Sequence, residues 1–274
     1  MLITGKHDGF KSSILQFDHL SELADHVAAN CTDSPAYVSD NLAFYTAQSR
    51  DALAMCRDGD LAGVAASDAL LERFEALTMP SARKAWQDGV AGALPNVQAY
   101  LAGTPLTMRR KVRTSDDHAP LTIYAELFAS QSFSPAQIIA RGAAILALVR
   151  IMSARRPVTL YAGCSTENRE KSHHICAMTR IDTAPIDLAR AAYAITNPAF
   201  LRRVTFSALQ KFDVSQSVPA PTAYHSRAFA NVFSSGETLI LPPLVSDNDE
   251  SVRNPQGWIE HQIQNLGPEA LNAA

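Results

Sequence analysis

Several absences narrow what this chain can be. It has only four cysteines, Cys31, Cys56, Cys164 and Cys176, and no Cys-x-x-Cys pair. That removes the spacings of structural zinc sites and of disulfide-framed domains, and predicts buried free thiols. Excess positive charge is also missing. The net charge is −3, so no global basic field draws the chain to nucleic acid. No apolar run approaches the ~20 residues that span a bilayer. The opening MLITGKHDGF lacks the charged-then-apolar order of a secretory leader, so an intracellular setting is expected. Phosphate loops of the Gly-x-Gly-x-x-Gly or Gly-Lys-Ser/Thr type do not occur, and neither does a Gly-x-Ser-x-Gly elbow.

What remains is an ordinary globular composition, 47% hydrophobic and 19% charged over 274 residues. Such a chain holds one large domain or two modest ones. The clearest architecture runs from Leu121 to Ile181. An apolar run, Leu121 to Phe128, precedes a hydroxyl-rich turn carrying Ser130, Ser132 and Ser134. A long apolar-periodic helix follows over 138–154, then a second run, Val158 to Cys164. Strand, polar loop, helix and strand in that order predict a parallel α/β unit. Thr166 to Ser172 reads as a charged loop, and His173 to Ile181 as a strand pairing with the one before it.

Helices are expected over 188–195 and 198–209, a last strand over 238–244 ended by Pro242, and a terminal helix after Pro255. Before residue 115 the pattern is mainly helical: segments near 18–27, 49–56, 64–77 and 81–90, with a short strand at Ala43-Phe44-Tyr45. Gly92 to Pro105 reads as an ordered connector of turns and a short helix. The expectation is therefore a helical N-terminal region with a basic connector over 1–114. A three-layer α/β domain, with a mostly parallel sheet and helices on both faces, is expected over 115–274.

Three constellations could carry chemistry. In a parallel sheet, ligands gather at the carboxyl ends of the strands. There the loop after the first core strand, with Ser130 and Ser132, would meet the acidic loop after the last, with Asp247, Asp249 and Glu250. These residues form a candidate protein-docking edge. Glu126, Ser130 and Asp247 also offer the hard oxygen ligands that suit Mg²⁺, the metal ion the sequence admits. The second constellation is Arg109, Arg110, Lys111 and Arg113, with Tyr100, Tyr124 and Phe128 near in sequence. Clustered cations with aromatics suit phosphate contact and base stacking, as in an accessory factor of replication or transcription. The third is Cys164 with His173, His174 and His225, the residue types of nucleophilic catalysis. Alternation also puts His174 and Cys176 on one face of a strand, half of a zinc site without its second half.

Two resemblances follow from these stretches. The layout from Leu121 to Cys164 resembles a von Willebrand factor A domain, over roughly residues 118–265. In that family the first strand ends in an Asp-x-Ser-x-Ser metal motif followed by a helix. Here Glu126 stands at the aspartate position, Phe128 at the first serine and Ser130 at the second, so one position of three matches. The stretch from Gly92 to Arg110, with Arg141-Gly142 opening the core helix, is similar to uncharacterised tailed-phage and prophage proteins over most of the chain. That likeness implies the cytoplasm of an infected bacterial host cell and no catalytic residue. An α/β fold without a catalytic signature or a spanning run is expected to work there by binding a protein partner, without a membrane. Together the readings predict a non-enzymatic docking protein. The alternatives are a nucleic-acid-binding factor or a divalent-metal-dependent enzyme.

Overall fold

Six strands form the central sheet. Taken across it they are β1 (Leu2–His7), β2 (Phe10–Phe17), β8 (His173–Ile181), β7 (Val158–Glu167), β6 (Leu121–Glu126) and β9 (Glu237–Leu241). The computed structural model describes residues 1–7, 10–31, 49–78, 84–113, 120–129, 132–154, 156–167, 172–183, 186–210, 233 and 237–266. The pairs β2–β8, β7–β6 and β6–β9 are parallel, whereas β1–β2 and β7–β8 are antiparallel. The protein is thus mixed α/β with a mostly parallel sheet. β6 is buried at every position, so both faces of the sheet are covered there, and its largely apolar run reflects that.

The helix after β6 is α5 (Pro135–Ser153). Its start is a capping box: the Gln137 N–H donates to Ser134 Oγ at 3.3 Å, and the Ser134 N–H donates to Gln137 Oε1 at 2.8 Å. Pro135, with no N–H to lose, occupies the first turn. α5 is apolar around most of its circumference because it is enclosed. α3 (Leu61–Thr78) and α6 (Leu188–Thr196) pack on it, and α6 touches it closely. A Cβ at Gly142 would lie 2.4 Å from the Ile195 carbonyl oxygen, so only glycine permits that crossing. No run of span length was expected, yet the 19-residue α5 is long and apolar enough to suit a membrane span; most of it is buried inside this fold.

α1 (Leu20–Asn30), α2 (Ser49–Asp58), α7 (Phe206–Gln210), preceded by a π-helical turn over Phe200–Thr205, and α9 (Pro255–Asn265) complete the layer around α5. These helices feed one large apolar cluster with the inward residues of the sheet, among them Ile123, Leu160, Ala177 and Leu241. Alternation sends Ile14, Tyr124, Cys176 and Met178 to the opposite face, where they form a second, smaller cluster. Phe233 packs on Tyr161 on that side, ring centroids 4.9 Å apart.

Several expectations need correcting. The N-terminal region is not only helical: β1 and β2 lie in the main sheet, β2 pairing with β8 from Lys11↔His173 to Phe17↔Thr179. The expected helix over 81–90 is a strand, β3 (Lys84–Gly89). It is held by antiparallel pairing with β5 (Met108–Arg113), a partner some twenty residues away that local periodicity could not reveal. β7 continues through Glu167, where a loop was expected from Thr166. Thr166 and Glu167 pair with Ile175 and His174, so the hairpin, itself as predicted, is longer. Residues Ala43-Phe44-Tyr45 and the segment holding Tyr224 and His225 lie outside the described residues.

Candidate functional site

β6 and β9 are parallel neighbours, so the segments that leave them emerge side by side. The Leu244 N–H donates to the Phe128 carbonyl at 3.0 Å, and Ala129 and Leu244 form a bridge beyond the strand ends. The two segments therefore run together beyond the strand ends. Ser132 and Asp247 are exposed in these segments, and Asp247 accepts from Gln137 Nε2 at 3.4 Å. Val245, 64% exposed, and Ile139, 37% exposed, add apolar surface close to them in the chain. Ser130 lies outside the described residues.

Asp249 has another role. It caps the short helix α8 (Glu250–Arg253), accepting from the Ser251 N–H at 2.9 Å, and faces Arg141 Nη1 at 3.5 Å. Arg141 is 5% exposed. Its guanidinium also donates to Ser251 Oγ at 2.9 Å and to the Pro242 carbonyl. Burial holds its pKa below the usual value, while Asp249 and Glu126 pull it back up. This network ties α5 to the segment after β9. Sequence reasoning missed it, although an arginine inside an apolar helix was a visible signal. Beside it Leu127, Ala129, Gly142 and Leu244 line a cavity of about 10 Å³, room for about one water.

Glu126 ends β6 fully buried. One carboxylate oxygen accepts from the Phe128 and Ser165 N–H groups at 3.0 and 3.2 Å. The other accepts from Tyr124 Oη at 3.0 Å and Ser165 Oγ at 2.5 Å. The carboxylate thus clamps the end of β6 to β7. Among the described residues, no group of three His, Cys, Asp or Glu side chains is placed to hold a metal ion.

Among the described residues the nucleophile set does not assemble. Cys164 belongs to the large cluster and Cys176 to the small one, so they face opposite sides of the sheet. His174 lies on the face of Cys176, as alternation predicted, and away from Cys164; both His174 and Cys164 are fully buried. His173 instead bonds Ser13 Oγ through Nε2 at 2.9 Å. Burial pushes the Cys164 thiol well up, and the Glu126 carboxylate raises it further. Burial likewise raises Cys176, again with Glu126 adding. A thiol so protonated is a poor nucleophile.

The basic run lies elsewhere, on a separate three-stranded sheet of order β3-β5-β4, with β4 at Leu94–Pro95. A Cβ on Gly92, in the turn before β4, would sit 2.4 Å from the Arg109 carbonyl oxygen. The short helix α4 (Val97–Leu101) follows, capped by Asn96 Oδ1 accepting from the Ala99 N–H at 3.2 Å. This is the turn-and-helix connector that the Gly and Pro spacing predicted. Arg109 Nε pairs with Asp88 at 2.9 Å, and Arg110 donates to Gln87 Oε1 at 3.3 Å. Lys111 and Arg113 occupy the following positions of β5, opposite Trp86 and Lys84.

No curated protein and no solved structure matches the chain. A family match covers residues 4–254, strands β1 through β9 and almost all the helices, and the chain belongs to that family, described as a domain of unknown function, DUF7192.

Proposed function

We propose that this chain is a non-enzymatic binding protein that docks a protein partner at the carboxyl edge of its main sheet. The setting we infer is the cytoplasm of a phage-infected bacterium. The finer fold we infer is a three-layer, von Willebrand A-like arrangement over 115–274 whose sheet is completed by β1 and β2 of the N-terminal region. The observation that carries the docking reading is the junction of the segments after β6 and β9, fixed by the Leu244–Phe128 hydrogen bond. Exposed Ser132 and Asp247 belong to the segments so joined, and exposed Val245 and Ile139 lie close to them in the chain. A rim of mixed polar and apolar groups on a braced frame is a reasonable docking surface. The nearby reactive groups, Glu126 and Cys164, are engaged or sealed inside, which favours binding over chemistry.

The test is to recover tagged protein from infected cells after nuclease treatment and compare it with Ser132→Arg/Asp247→Arg. Asp249 is left alone because its substitution would uncap α8. The expected result is loss of the co-purifying protein with an unchanged melting temperature. A folded double variant that keeps its partner would overturn the site.

A further inference from the structure

We propose that the small β3-β5-β4 sheet is a binding platform for single-stranded nucleic acid. It lies apart from the docking edge and does not depend on that reading. Three observations meet there. The first is charge. Residues 84–113 hold five cations, Lys84, Arg109, Arg110, Lys111 and Arg113, against the single Asp88. That is +4 in a chain of net −3, so the remainder carries −7. The second is aromatic exposure. Trp86 is 46% exposed and Tyr100 72% exposed. The other tryptophan, Trp258, is 6% exposed in the core. The third is the register. Trp86 stands directly opposite Lys111, and Asp88 opposite Arg109, so cationic positions lie across from and diagonal to an exposed indole.

That combination is what a single strand requires: cations along a backbone track and aromatic faces on which bases stack, with no sequence preference. The arginines are available at little cost. The Arg109–Asp88 pair is exposed on both sides, 45% and 44%, and an exposed pair of this kind contributes little, so phosphate can replace the aspartate. Leu94, 49% exposed on β4, and Leu101, 78% exposed on α4, add open apolar surface. Exposed apolar and aromatic side chains of this kind gain from an occupant with an apolar face, which unstacked bases supply and duplex DNA does not.

The experiment is fluorescence anisotropy with labelled dT20 and rU20, alongside a 20-bp duplex, at several salt concentrations. Tryptophan emission is followed in parallel. Both single strands are expected to bind, because phosphate and stacking contacts ignore the sugar, and the duplex to bind more weakly. Trp86→Ala should weaken binding about tenfold. Trp86→Phe should retain binding by anisotropy yet abolish the quenching of tryptophan emission, whereas Trp258→Phe should keep the quenching. Arg109→Ala/Arg113→Ala, the two arginine positions diagonal to Trp86 on its own face of the sheet, should reduce the slope of log K against log salt by about 1.4, two phosphate contacts' worth. Binding that persists unchanged in Trp86→Ala and in the double arginine variant would overturn the proposal. So would absence of oligonucleotide binding at low salt. A dimer, seen by sedimentation, that dissociates on Trp86→Ala without oligonucleotide binding would make this face a contact between copies and refute the platform. Loss of the platform leaves the docking test untouched, since the variants of each share no residue.

Discussion

Glu126 shows how one side chain can invite a functional reading and hold a structural post. At the end of the first core strand an acid suggests a metal ligand. Its four donors, Phe128 N–H, Ser165 N–H, Ser165 Oγ and Tyr124 Oη, instead saturate both oxygens within the sheet. In Glu126→Gln the amide oxygen can keep the two N–H groups, but Tyr124 Oη and Ser165 Oγ must turn to accept from the N–H₂, and all four bonds lose their charge assistance. The expected cost is about 2 kcal/mol. It should appear as a melting temperature lower by roughly 4–8 °C. A glutamine variant that melts like the parent and loses a Mg²⁺-dependent shift would instead place the carboxylate in a metal site. Arg141 carries the complementary lesson. Its sequence position marked it as unusual for a buried helix face, and only the fold supplied the partners, Ser251, Asp249 and the Pro242 carbonyl, that make its burial tolerable.

Elements whose signal is local were the most legible. α5 announced itself through Ser134-Pro135, the Gln137 of the capping box and the apolar run that follows, and the β7–β8 hairpin through two runs separated by a charged turn. Elements that depend on a remote partner were not. β3 has no apolar alternation to distinguish it from an amphipathic helix, and its strand conformation comes from β5. β1 and β2 likewise take their place from each other and from β8. Helix packing offers a test at this scale. In an isolated helix Gly142→Ala would stabilise by about 1 kcal/mol. Here the added methyl meets the Ile195 carbonyl at 2.4 Å, so α6 must move away from α5. Net destabilisation of about 2 kcal/mol is expected by chemical denaturation. A stabilised alanine variant would mean that the two helices can separate freely.

At the scale of the molecule, the sheet draws strands from both ends of the expected domain boundary. β2 supplies the whole parallel edge of β8, and α1, α2 and α3 cover the same apolar cluster as α5 and α6. Residues 115–274 expressed alone would leave the β8 edge unpaired and strip the large cluster of its N-terminal helices. The expected outcome is an insoluble or molten fragment, with no cooperative melting transition. A fragment that unfolds cooperatively would establish an autonomous domain there.

The sequence by itself determined the class of the protein, α/β with a mostly parallel sheet, because strand, capped helix and strand are written in local periodicity and turn chemistry. It also determined that its thiols are few and that its positive charge is concentrated in one run. Tertiary structure alone decided which residues could act. Pairing turned Thr166 and Glu167 from loop into strand, packing sealed Cys164 away from His174, and hydrogen bonds committed Glu126 and Asp249 to the frame. The physical reason is range: propensity and capping act over a few residues, whereas strand pairing and burial join positions that only the completed fold brings together.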